Sequence, residues 1–376
     1  MQKNKGTVVV GMSGGVDSSV SALLLKQQGY NVIGLFMKNW EEKDDNGVCM
    51  SAKEYEDVVK VCELLEIPYY SVNFVDEYWN HVFAHFIEEL KLGYTPNPDI
   101  LCNREIKFQV FFAKAKSLGA DFLATGHYCQ IGGTKDSPVL LKGTDPGKDQ
   151  SYFLYTIKEK TLKEVLFPVG HLTKSEVRKI AEEHGLSTAE KKDSTGICFI
   201  GERNFKNFLS NYIPYEKGQF MTVDNKVVGY HEGMAYYTIG QRKGIGLGGP
   251  GEPWFVVGKN AETNTVYVAQ GTDHPALYSD TLTASDISFV SDVEMTFPMQ
   301  CKAKIRYRQS DQDCIIEKEN NGILTVRFLR PQRAITSRQS IVFYREEECI
   351  GGAMIIKSGP TYFELNKKIE DSSICD

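Results

Sequence analysis

The chain has 376 residues, too many for one hydrophobic core, and its length points to two or three domains. Hydrophobic residues at 41% and charged residues at 24% are ordinary globular values, which excludes a fibrous or disordered chain. No stretch approaches the roughly 20 apolar residues of a bilayer span. Met1–Gly6 is polar with only a short apolar run behind it, so a soluble, cytoplasmic protein with no membrane partner is expected.

The first predicted element is a buried strand over Thr7–Met12, followed by a glycine turn and a helix from about Asp17 to Gln28. In the turn, Gly11, Met12, Ser13, Gly14, Gly15, Val16, Asp17 and Ser18 combine bare backbone N–H groups, serine hydroxyls and the positive end of the next helix. Such a turn cradles phosphate. It is not the commoner phosphate loop, because no lysine follows the second glycine, nor is it the dinucleotide fingerprint Gly-x-Gly-x-x-Gly.

A second buried strand is predicted over Asn31–Trp40, with acidic residues Glu41–Gly47 behind it. Apolar spacing predicts a helix over Lys53–Leu65, stopped by Pro68, then a strand at Tyr69–Phe74 and a helix at Glu77–Leu90. Phe108–Leu118 reads as helical and Asp121–Thr125 as a strand leading into Gly126-His127-Tyr128. Alternating strands and helices imply right-handed crossovers and an α/β fold with a doubly wound parallel sheet. Ligands of such sheets sit beyond the carboxyl ends of the strands. Gly11–Ser18, Met37 and Gly126–His127 all fall there, so one nucleotide pocket is expected to touch all three.

Two cysteines have distinctive neighbours. Cys102 follows Asn97-Pro98-Asp99 and precedes Arg104, where a helix is predicted to start near Asp99 or Ile100. A thiol in a first helical turn beside a cation should have a lowered pKa, with Asp99 in reach for proton transfer. The residues equally allow Asp99 to cap the helix while Cys102 packs beneath. Cys198 lies in Lys191-Lys192-Asp193-Ser194-Thr195-Gly196-Ile197-Cys198, which suits a thiolate on a loop or a thiol in a short apolar strand. The nine cysteines are odd in number and never spaced Cys-x-x-Cys, which argues against a disulfide scaffold or a local zinc site.

Thr173 is a predicted N-cap with Glu176 three residues on, opening a helix that ends at Gly185. From Gly218 onward the pattern turns to short strands: Phe220–Val223, Val227–Tyr230, Ala235–Thr238, Phe255–Asn260 and Thr265–Ala269. A further series, Leu282–Phe289, Met299–Tyr307, Asp313–Glu317, Gly322–Phe328, Ser340–Tyr344 and Ile350–Lys357, has the spacing of a small barrel or sandwich. The domain edges are placed accordingly: a catalytic domain over 1–210, a small β-rich domain over 211–280, a C-terminal β-barrel over 281–365 and a polar tail over 366–376. The net charge of −6 hides an asymmetry, since residues 297–345 hold ten lysines and arginines against four acids. That stretch is a candidate nucleic-acid interface.

The loop Ser13-Gly-Gly-Val-Asp-Ser18 resembles that of the ATP pyrophosphatases, which split ATP between the α- and β-phosphates. Together with Asn97-Pro-Asp99-x-x-Cys102-Asn103, Thr125-Gly-His-Tyr128, Lys148-Asp-Gln150, Gly196-Ile-Cys198, the run from Gly233 to Gly246 and Arg306-Tyr307-Arg308, it resembles the tRNA-specific 2-thiouridylases over nearly the whole chain. The resemblance implies replacement of the C2 oxygen of the wobble uridine by sulfur in tRNA-Lys, tRNA-Glu and tRNA-Gln. It further implies ATP with Mg2+ as cofactor, Cys198 as persulfide carrier, Cys102 as nucleophile and a disulfide between the two at the end. Asp99 would move protons, with Asn97, Pro98 and Asp99 lining the target base. His127, Lys148, Asp149, Gln150, Arg306, Tyr307 and Gln339 match tRNA contacts of the family. The partners implied are the anticodon region of tRNA and a sulfur donor, a desulfurase or a relay protein. Two other classes share parts of the pattern: a different tRNA-modifying ligase with the same ATP loop, and an ATP-gated RNA-binding protein.

Overall fold

The computed structural model describes residues 5–41, 50–192, 205–319 and 321–369. Five parallel strands, β1 (Thr7–Met12), β2 (Asn31–Lys38), β3 (Tyr69–Asn73), β4 (Phe122–Ala124) and β7 (Val165–Leu166), form one sheet in the order β3-β2-β1-β4-β7. The chain runs outward from β1 to β3 and then returns to the other side of β1 with β4. The crevice between the ends of β1 and β4 is therefore the switch point where such sheets bind ligands.

Side-chain alternation along β1 explains why both faces of the sheet are covered. Val8, Val10 and Met12 pack into one core with the helices Val16–Gln27, Met50–Leu64 and Lys174–Glu183. Val9 faces the other core, built with Phe83, Phe86, Cys102, Ile106 and Phe111. The helical stretches predicted on this second face are present but wider-wound in places: π-helical turns span Trp79–Phe83 and Cys102–Phe111. Each side chain of β1 that is lost from water contributes about 1.5–3 kcal/mol.

A second sheet orders β10 (Trp254–Asn260), β11 (Thr265–Gln270), β8 (Gly218–Thr222) and β9 (Val227–His231), with β11 and β8 parallel. The strand expected at Ala235–Thr238 is instead a 3-10 turn over Met234–Tyr236. Met234 and Tyr237 turn inward there to fill the small core around Phe220, so burial rather than pairing sets the backbone.

Six antiparallel strands close the C-terminal barrel: β12 (Tyr278–Phe289), β15 (Leu324–Arg333), β14 (Gln312–Lys318), β13 (Met299–Lys304), β16 (Ser340–Arg345) and β17 (Glu348–Ser358), which pairs back onto β12. Closure removes the open edges that a short antiparallel sheet would otherwise expose. A hairpin from the first domain, β5 (Cys129–Gly133) and β6 (Pro138–Lys142), adds to this sheet through Leu141 opposite Glu348 and Leu140 opposite Cys349. No strand was expected in that segment, and it joins the first domain to the barrel through a shared core containing Cys129, Leu140, Tyr152, Tyr344 and Cys349. Among the described residues no helix is long and apolar enough to cross a membrane.

Candidate active site

The turn after β1 is held by its own serines. The Ser13 N–H donates to Ser18 Oγ at 3.2 Å, and the hydroxyls of Ser18 and Ser19 donate to the Gly15 carbonyl at 3.0 and 2.9 Å. Gly14 has φ +71°, and a Cβ there would lie 2.6 Å from the Glu54 carbonyl oxygen, so only glycine fits. Gly15 stands at the N-cap of Val16–Gln27 with no side chain to cap the first-turn amides, which leaves that helix end facing the crevice.

The turn after β4 closes against it. A Cβ on Gly126 would sit 2.9 Å from both Asp17 C and Ser18 N, so the two turns touch backbone to backbone. The Tyr128 hydroxyl donates to Asp17 Oδ1 at 2.7 Å, and Lys174 Nζ bonds both Asp17 oxygens at 2.7 and 2.9 Å. Lys191 Nζ donates to the Gly14 carbonyl at 2.9 Å and to Asp57 Oδ2 at 2.7 Å. Lys174, Tyr128 and Lys191 were each visible in the sequence but were given no place in the loop. The one local signal was a lysine at the first position of a helix, where its charge opposes the macrodipole.

Gly11 to Ser18 and Gly126 are thus gathered in one crevice. Met37, at the carboxyl end of β2, packs at the edge of the second core.

The Cys102 helix packs on the opposite face of the sheet from Val16–Gln27 and reaches the start of the loop from there, since a Cβ on Gly11 would meet the Phe111 ring at 3.2 Å. The cap of the Pro98–Leu101 turn is Asn97, whose Oδ1 accepts the Asp99 N–H at 3.2 Å, and not Asp99 itself. The expectation of a lowered Cys102 pKa is corrected. The thiol is fully buried, and desolvation pushes it up to about 12, with Lys107 opposing the rise and Asp99 adding to it. Arg104, the cation expected beside the thiol, is paired with Glu105 at 2.7 Å and Asp286 at 2.9 Å. Cys198 and the segment around it lie outside the described residues, as does most of the acidic stretch after Glu41.

The residues expected to touch tRNA divide into two groups. His127 is 7% exposed, with Nδ1 hydrogen-bonded to Thr125 Oγ1 at 2.8 Å. Burial and then Lys107 hold its pKa well below 6.5. As placed, its largely buried ring packs between Phe108 and Phe167. Asp149 is also internal: its oxygens accept the Gly143 and Ser151 N–H groups and the Ser151 hydroxyl, with Lys304 at 3.6 Å.

The second group sits where the domains meet. The Tyr307 ring packs tilted against Phe153, centroids 4.5 Å apart, on the turn after β13, which ends at Lys304 and leaves Arg306 and Tyr307 off the ladder. Arg306 donates to the Arg333 carbonyl, and the Tyr307 hydroxyl to the Lys148 carbonyl at 3.4 Å. Gln339 donates to the Thr95 carbonyl at 2.6 Å, tying the barrel to the segment before Asn97. A cavity of about 740 Å³ between hairpin and barrel is lined by Lys142, Asp149, Lys304, Tyr307 and Arg308 among others. Part of the positive charge counted over 297–345 is neutralised internally, since Lys304 faces Asp149 and Asp311 and Arg338 pairs with Glu89.

Three family models match in succession: a tRNA methyl transferase HUP domain over residues 6–202, a tRNA methyl transferase PRC-barrel domain over 206–270 and an aminomethyltransferase beta-barrel domain over 279–355. The chain is 61% identical over 372 residues to the tRNA-specific 2-thiouridylase MnmA of Protochlamydia amoebophila, covering 99% of each. It is 56% identical over 348 residues to the protein of that name from Halalkalibacterium halodurans, covering 93% of this chain and 94% of the relative. The same name and identity recur over 351 residues in Staphylococcus epidermidis, again at 93% and 94% coverage. Identity of this order across three successive domains leaves one assignment. The chain belongs to the tRNA-specific 2-thiouridylase family, a family of tRNA sulfurtransferases.

Proposed function

We propose that this protein catalyses ATP-dependent 2-thiolation of the wobble uridine of tRNA, with tRNA-Lys, tRNA-Glu and tRNA-Gln as substrates. The observation that carries the reading is the crevice between β1 and β4. A glycine- and serine-lined turn, an uncapped helix end and two lysines converge there, so close to the Gly126 turn that a Cβ on Gly126 would lie 2.9 Å from the Asp17 and Ser18 backbone, and Gly11 meets Phe111 of the Cys102–Phe111 helix.

ATP would bind with its phosphates on Gly11–Ser18. Asp17, a hard oxygen ligand, is the loop carboxylate suited to the Mg2+ that accompanies ATP, which supplies charge neutralisation at the phosphates when bound. The uracil C2 oxygen attacks the α-phosphorus, pyrophosphate leaves with the bridging oxygen, and the uracil N3 proton is released. The C2 position then carries AMP as its leaving group. A persulfide on Cys198 brings the incoming sulfur. Its terminal sulfur would attack C2 and displace AMP, and deprotonated Cys102 would then attack the Cys198 Sγ, breaking the S–S bond so that the sulfur stays on C2 and a Cys102–Cys198 disulfide is left for later reduction.

With burial pushing its pKa up to about 12, Cys102 is a thiol at neutral pH and not the thiolate nucleophile that the reaction needs. The reading therefore includes an opening of this site on RNA binding, which hydrates the thiol and lowers its pKa toward the ordinary thiol range. Asp99, three residues away on the first helical turn, is placed to take the proton. Lifting the base from its stack costs a few kcal/mol, least in a single-stranded anticodon loop.

The test is nucleoside mass spectrometry of tRNA incubated with the protein, ATP, Mg2+ and a sulfide or desulfurase source. Wild type should yield 2-thiouridine, and Cys102→Ser and Cys198→Ser should each abolish it while ATP and tRNA still bind. Near-normal 2-thiouridine from either variant would overturn the assigned roles. Release of AMP with no sulfur incorporation by wild type would favour a different ligase sharing the loop.

A further inference from the structure

We propose that Lys174 is a phosphate-handling residue of this site, neutralising Asp17 before nucleotide arrives and passing its ammonium to the β- and γ-phosphates of ATP when ATP binds. The proposal rests on the reading of Gly11–Ser18 as an ATP loop. The Lys174 ammonium lies within hydrogen-bonding distance of both Asp17 oxygens, and its side chain is 13% exposed, so it is committed to the crevice and not to solvent.

Local chemistry says that this placement is not there for the helix. Lys174 is the first residue of Lys174–Glu183, where a cation is disfavoured by the helix dipole. The helix start is fixed by other means: Thr173 and Glu176 form a reciprocal capping box, and the Lys174 N–H donates to Asp145 Oδ2 at 3.0 Å. Val177 and Ala181 of the same helix are buried in the core under the loop. The backbone is thus held on three sides while the side chain is aimed at a carboxylate 157 residues away.

The loop itself contains no lysine, unlike phosphate loops that carry their own. Lys174 supplies the missing charge from the far end of the domain. Its ammonium also stands 5.7 Å from the ring of Tyr128, whose hydroxyl shares Asp17, so cation, phenol and carboxylate form one movable cluster. With ATP bound, Asp17 would hold the accompanying Mg2+ and the Lys174 ammonium would turn its donors to the phosphate oxygens. As the bond from uracil O2 to the α-phosphorus forms and the bridging P–O bond breaks, its electron pair goes to pyrophosphate. Lys174 meets the charge that accumulates there.

The full-length protein, with Lys174→Met and Lys174→Arg, tests this. Single-turnover release of AMP from ATP with tRNA and a sulfide source is followed beside equilibrium binding of AMP and of α,β-methylene-ATP, which has the terminal phosphates but is not split. Lys174→Met should slow AMP release roughly 100-fold. It should weaken the ATP analogue roughly 10-fold while leaving AMP binding unchanged, because AMP lacks the phosphates Lys174 meets. Lys174→Arg, keeping the charge, should recover part of both losses. Equal losses of AMP and analogue binding with a lowered unfolding midpoint would mark Lys174 as a structural staple and overturn the proposal. So would wild-type release and binding in Lys174→Met. Absence of AMP release from wild type would instead overturn the ATP reading beneath it.

Discussion

Gln150 clamps the backbone of Tyr128. Its N–H donates to the Tyr128 carbonyl at 3.0 Å, and its Oε1 accepts the Tyr128 N–H at 3.0 Å. Because the Tyr128 hydroxyl bonds Asp17, a residue expected as an RNA contact also holds part of the Gly11–Ser18 turn in place.

Gln150→Leu removes the acceptor and leaves a buried N–H on Tyr128 unsatisfied, at a cost of about 1–3 kcal/mol. Urea unfolding should show that loss, and ATP-analogue affinity should fall with it. Loss of tRNA affinity alone, with stability and nucleotide binding intact, would show Gln150 to be purely an RNA contact.

Gly126→Ala places a methyl 2.9 Å from the Asp17 and Ser18 backbone. Neither atom belongs to a flexible side chain, so the loop must shift. The expected result is a folded protein by circular dichroism that has lost ATP binding by calorimetry. Wild-type affinity in this variant would mean that the two turns do not act together.

Burial holds the His127 pKa well below 6.5, so the folded state resists a proton that the unfolded chain accepts. The stability it contributes is present above that value and is lost as pH falls below it. His127→Asn should flatten the acid limb of a stability–pH curve by up to about 1.4 kcal/mol per pH unit. An unchanged limb would move the effect to His231 and His274, whose pKa values burial also lowers.

With its pKa near 12, Cys102 is almost wholly thiol at pH 8, and its side chain is closed to reagent. Peptide mapping after iodoacetamide should find it unlabelled in the resting protein and labelled once tRNA and α,β-methylene-ATP are present. Rapid labelling without them would remove the need for an opening step. The same shift makes the folded state less stable as pH rises from about 9 toward 12, since the unfolded thiol ionises first.

Much of the fold was legible in the chain. The Thr7–Met12 strand, its glycine turn and the Thr173 capping box were readable because strand alternation, positive φ and N-capping are set within a few residues. The six barrel strands were found by the same short-range pattern, while the 3-10 turn at Met234–Tyr236 was misread because its apolar residues answer to a core and not to a ladder.

The sequence by itself determined the glycine–serine turn after the first strand, the alternating first domain and the two cysteines with chemical neighbours. Only the tertiary structure decided what surrounds them. It buries Cys102 and reverses the expected direction of its pKa, turns His127 inward, sends the Cys129–Lys142 hairpin into the barrel and brings Lys174 onto Asp17. The division is physical. Backbone conformation is governed by neighbours along the chain, whereas desolvation and ion pairing depend on which groups packing brings together across more than a hundred residues.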